Sequence, residues 1–190
     1  MRRLLAIVSI LLVCGNGWAQ DQAGSEPIAR GALKTAYGTS FTILSTGQAD
    51  APLAVLLVPG KWGLNDELKD WLTALAGQGI RVVAMDLFDG RPVRDQYMAT
   101  DVWNSVDPVW IAADLDGAVT SLSQQARSLV IMSWEDSLPF VQSALARHPE
   151  QVQGLIAVGR QVSVDVPLLL LNQADRSAAS SVRQFLSRWQ

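Results

Sequence analysis

A chain of 190 residues with 49% hydrophobic and 17% charged residues is long enough for one packed domain and too apolar to stay disordered. Its formal net charge of −3 argues against nucleic acid or an anionic lipid surface as partner. The single cysteine, Cys14, lies so near the start that neither a disulfide nor a cysteine metal site is expected in the body of the protein.

Residues 1–19 read as a secretory signal: Arg2 and Arg3, an apolar run from Leu4 to Val13, then Gly17-Trp18-Ala19 with small residues at the cleavage positions. Cleavage after Ala19 removes two of the 15 basic residues and none of the 18 acidic ones, leaving a net charge of about −5 on an exported, periplasmic or secreted chain. Lipidation of Cys14 is the weaker alternative, because Val13 is bulky where such a signal wants a small residue. Residues 20–34 are expected to form a flexible lead-in, and residues 35–190 a single domain.

Thr35 to Thr46 alternates about Gly38 and predicts an antiparallel hairpin. From Leu53 to Val58 the chain is almost wholly apolar, as a parallel strand covered on both faces must be. Pro59 to Gly63 forms a loop, and Asn65 caps a helix that carries Leu68, Trp71, Leu72 and Leu75 inward until Gly77 and Gly79. Arg81 to Leu87 is a second buried strand, and Phe88 to Asn104 a long loop. Asp107-Pro108 opens another helix. The run Leu129 to Met132 then meets Ser133-Trp134-Glu135-Asp136-Ser137, after which Leu138, Val141, Ala144 and Leu145 recur at helical spacing. Two more strands, Gly154 to Val158 and Pro167 to Leu171, and a helix over Ala178 to Trp189 complete the series. Strands alternating with helices predict a mainly parallel sheet with helices on both faces.

Four segments in this order resemble the dienelactone hydrolase family of α/β-hydrolases. They are Val58 to Asn65, Val83 to Arg91, Trp134 to Ser137, and Val166 through Asp175. The resemblance implies the three-layer α/β-hydrolase fold, shortened so that it lacks the last strand. Ser133 to Ser137 then corresponds to the nucleophile elbow, small-x-nucleophile-x-small. Glu135 occupies the place of the nucleophilic cysteine, and Asp175 that of the triad aspartate. The oxyanion hole would be formed by the backbone N–H groups of Lys61 and Asp136. The family's glutamate in the loop after the first parallel strand corresponds to Gly60. No histidine follows Asp175. The only histidine, His148, stands thirteen residues beyond Glu135, roughly 15 to 20 Å along a helix, and reads as an exposed helix end.

Two readings of Glu135 follow. In one it is a carboxylate nucleophile or acid/base group of an active hydrolase of small esters or lactones, its titration altered by Asp136 and Asp175. In the other the elbow has lost its chemistry, Glu135 is solvated or paired with Lys61, and the cleft between Trp62 and Trp134 keeps at most a small-molecule ligand or a partner. No cofactor and no metal are expected, since Asp86 and Asp89 lack a neighbouring His or Cys and suit turn positions. Without the family's last strand, Pro167 to Leu171 becomes a sheet edge, which predicts a homodimer or a partner chain paired along it.

Overall fold

A computed structural model describes residues 27–77, 79–173 and 176–190, apart from the side chain of Arg176. Residues 1–19, the segment read as a secretory signal, and Asp175 lie outside the described residues.

Among the described residues seven strands form one sheet in the order β1-β2-β4-β3-β5-β6-β7. β1 (Ala29–Lys34) and β2 (Ser40–Thr46) are an antiparallel hairpin, and β2 joins β4 (Ile80–Met85) antiparallel. β3 (Leu53–Val58), β4, β5 (Ser128–Trp134), β6 (Gly154–Val158) and β7 (Leu168–Leu171) run parallel. The apolar runs chosen as parallel strands are buried on both faces throughout β3 and β6. On one face Leu56, Val58, Ile131 and Leu155 pack against α3 (Pro108–Gln125) and α4 (Leu138–Arg147). On the other, Val55, Leu57, Val130 and Ile156 pack against α1 (Asp66–Leu75) and α5 (Ala179–Leu186). This is the three-layer arrangement that the alternation of elements required.

The helix starts follow from local chemistry. Asn65 accepts a bond from the N–H of Leu68, Asp107 accepts one from Val109, and Pro108 fills the first turn of α3, where its missing N–H costs nothing.

Two stretches differ from expectation. The hairpin begins at Ala29, inside the segment read as a flexible lead-in, because Ala29 to Lys34 pairs residue by residue with Ser45 to Ser40. The segment read as a long loop, Phe88 to Asn104, holds nearly all of α2 (Gln96–Ser105), capped by Asp95 and fully buried at Ala99 and Val102. The inward residues, these two with the half-buried Met98 and Trp103, span less than two turns, too short a run for a period to stand out. Among the described residues no helix is long and apolar enough to cross a membrane.

Candidate functional site

The chain passes from β3 to β4 on one side and later places β5 on the other, so the order reverses between β3 and β5. Ligand sites of open parallel sheets lie at such a switch point, beyond the carboxyl ends of the strands. Val58 pairs with Ser133 in register, which brings the loop Pro59 to Gly63 against the turn Trp134 to Ser137. A cleft of about 290 Å³ opens there, lined by Lys61, Trp62, Trp134, Glu135 and Asp136, together with Gln96 and Gly159. Five of the residues singled out from sequence therefore meet in one place. The sixth, Asp175, lies outside the described residues.

The turn is held by two buried hydroxyls. Ser137 Oγ lies 3.0 Å from both the Val58 and the Trp134 carbonyl oxygens, and 2.9 Å from Ser133 Oγ. Both serines are fully buried, so neither is placed to attack a ligand. The Ser137 N–H also donates to the Trp134 carbonyl at 3.0 Å, closing an ordinary four-residue β-turn. In an acyl hydrolase the elbow holds its nucleophile on a strained backbone. Here Asp89 (φ 53°) is the only non-glycine residue with positive φ among those described, so Glu135 sits on a relaxed turn.

The expected oxyanion hole is altered at its first donor. The Lys61 N–H donates to Asp136 Oδ2 at 3.1 Å, so a carboxylate of the chain itself stands where a developing oxyanion would have to bind. Gly60 makes room for it, since a Cβ at that position would lie 2.7 Å from the same oxygen. Sequence inspection assigned Asp136 a role through its backbone N–H and missed the part played by its side chain.

Glu135 is exposed and forms no hydrogen bond or ion pair among the described residues. The expected pairing with Lys61 is thus not formed. Emergence on the same sheet edge brings the two loops together but does not aim the two side chains at each other. The Glu135 carboxylate lies instead toward the end of β6, where a Cβ on Gly159 would stand 3.6 Å from Oε2.

His148 is not a free helix end. It is half-buried as the C-cap of α4, with Nε2 3.0 Å from Asp116 Oδ1. Arg147 grips the same carboxylate through Nε at 3.1 Å and a second guanidinium nitrogen at 2.8 Å. That cluster belongs to the contact between α3 and α4, at the end of α4 remote from the elbow.

Asp86 is buried in a turn, accepting from the Phe88 N–H at 3.2 Å and facing Arg30 at 3.9 Å. Among the described residues no group of three or more His, Cys, Asp or Glu is placed to hold a metal ion. Burial first, and then the nearby Asp89 charge, push Asp114 on α3 up from 3.8 to about 6.

Sheet order, helix placement and a switch-point cleft against the β5–α4 turn define the α/β-hydrolase fold. Comparison with solved structures agrees, and the likeness is to dienelactone hydrolases among others. A protein assigned as a dienelactone hydrolase from Klebsiella pneumoniae is 19% identical, with a TM-score of 0.57 over 85% of this chain and 81% of its own. The dienelactone hydrolase-like promiscuous phosphotriesterase P91 from metagenomic libraries is 13% identical, with a TM-score of 0.55 over 85% and 77%. An α/β hydrolase from Novosphingobium aromaticivorans is 14% identical, with a TM-score of 0.51 over 70% of this chain and 45% of its own. At these identities the likeness concerns the fold. No family model matches the sequence, and no curated protein matches it.

Proposed function

We propose that this chain is an exported α/β-hydrolase-fold protein that has given up ester chemistry and binds a small molecule in the cleft at the β5–α4 turn. The observation that carries the reading is the bond from the Lys61 N–H to Asp136 Oδ2. Acyl transfer requires donors free to receive negative charge as it develops, and this donor already holds a full carboxylate. The relaxed backbone at Glu135 and the engagement of His148 with Asp116 support it: a nucleophile needs a base within hydrogen-bond reach. Export rests on the charged, apolar and small-residue segments of residues 1–19.

The alternative, a hydrolase working through Glu135, draws on that side chain's carboxylate, which lines the cleft without a partner among the described residues. One assay separates the two. Purified residues 20–190 are expected to hydrolyse p-nitrophenyl acetate no faster than buffer. Turnover that disappears in Glu135→Gln would establish the carboxylate mechanism instead.

The outer strand β7 belongs to the same proposal. Its Leu170 is 44% exposed, and the strand bonds to β6 on one side only among the described residues. Self-association of residues 20–190 in light scattering, abolished by Leu170→Lys, would support pairing along this edge.

A further inference from the structure

We infer that the cleft at the β5–α4 turn selects a small organic cation, an alkylated ammonium in particular. The inference rests on the non-catalytic reading above and names the ligand class of that same site. In a hydrolase this crevice is built to receive negative charge. Two substitutions of chemistry have reversed that here. The Asp136 carboxylate fills the Lys61 donor, and Glu135 puts a second carboxylate where a neutral nucleophile would stand. Glu67, in the first turn of α1, adds a third to the lining.

Glu135 has no cation within 4 Å among the described residues, although Lys61 lines the same cleft. A carboxylate left uncompensated beside a cavity is a place for a ligand's positive charge.

Two indoles give the second, independent part of the recognition. Trp62 is 39% exposed and Trp134 half-buried, and both line the cavity that holds Glu135. Cations bind over indole faces, and Trp is the strongest of the aromatic side chains in this role. A primary ammonium keeps much of its hydration, whereas an alkylated one sheds water readily and suits an aromatic wall. The volume of about 290 Å³ sets the size at a small molecule.

The probe is benzyltrimethylammonium, compared with its neutral carbon isostere neopentylbenzene and with benzoate, titrated into residues 20–190 by calorimetry. The expected order is ammonium first, neutral isostere weaker, benzoate undetectable. Glu135→Gln should weaken the ammonium by roughly three- to tenfold and leave the neutral isostere unchanged. Trp62→Leu should weaken it by a similar factor. Both side chains are substantially exposed, so both variants are expected to fold, which circular dichroism checks. Equal affinity for ammonium and isostere, an unchanged ammonium affinity in Glu135→Gln, or no binding of the ammonium overturns the inference. Ester turnover is a separate readout: its appearance would overturn the non-catalytic reading, while the order of affinities alone decides the charge preference.

Discussion

Ser137 Oγ lies 3.0 Å from the Val58 carbonyl oxygen, across 79 positions of sequence, and ties the β5–α4 turn to the end of β3. Both partners are fully buried, so water cannot replace either. Ser137→Ala would leave the Val58 carbonyl and the Ser133 hydroxyl short of a partner in an apolar setting. The expected cost is about 1–3 kcal/mol. Urea unfolding of the variant measures it, and a loss below a few tenths of a kcal/mol would show that the turn is held by packing alone.

Gly60 and Asp136 form a coupled pair of a different kind. The side chain of an alanine at 60 would meet Asp136 Oδ2 at 2.7 Å, so the carboxylate must swing away and surrender the Lys61 N–H. Gly60→Ala should therefore destabilise by about 1 kcal/mol, the worth of one charge-assisted bond on a half-exposed turn. With Asp136→Ala already present, the same substitution should cost little. A double-mutant cycle in urea reads the coupling directly, and additive effects would show that Gly60 is required for some other reason.

These contacts also mark how far the sequence could be read. The strands β3 to β6, buried along nearly all their length, announce themselves as apolar runs, and α1 through the Asn65 cap and its inward leucines, because one energetic demand dominates each. β1 was missed since nearly all of it is exposed; its pairing with β2 is through the backbone and leaves no mark on side-chain choice. α2 was missed because its inward set, the buried Ala99 and Val102 with the half-buried Met98 and Trp103, spans less than two turns, and Tyr97 beside it is exposed. The site was legible as a set of loops that must converge at one sheet edge. Which atom of Asp136 meets Lys61 was not, because the answer depends on the absence of a side chain at Gly60, 76 positions earlier in the chain than Asp136.

Putting a thiol back at the elbow should not restore chemistry. A cysteine of ordinary pKa about 8.5 is only a few per cent thiolate at neutral pH unless a base lies beside it. The one histidine is held by Asp116, and the Lys61 N–H remains occupied. Glu135→Cys is expected to turn over p-nitrophenyl acetate no faster than an equal concentration of free cysteine. A rate well above that would reveal a base at the cleft, and the paired variant Asp136→Gly would then show whether freeing the Lys61 donor adds to it.

Asp114 gives the fold a pH dependence of its own. It lies half-buried on α3 beside a cavity shared with Asp86, Asp89, Asp107 and Arg91, and burial together with the Asp89 charge pushes it up to about 6. Its folded pKa exceeds its unfolded value of 3.8, so the folded state binds this proton more tightly than the unfolded chain does. Stability is then lost as pH rises from about 4 to about 6, and the penalty is fully present above that window. Discounted for the group's partial exposure, it amounts to about 1 kcal/mol at neutral pH. Asp114→Asn should remove the penalty, raising stability at pH 7 by that amount and leaving pH 4 nearly unchanged. Urea midpoints of the two proteins at pH 4, 5, 6 and 7 test this, and a difference that stays constant across the series would show that Asp114 titrates alike in the folded and unfolded chains.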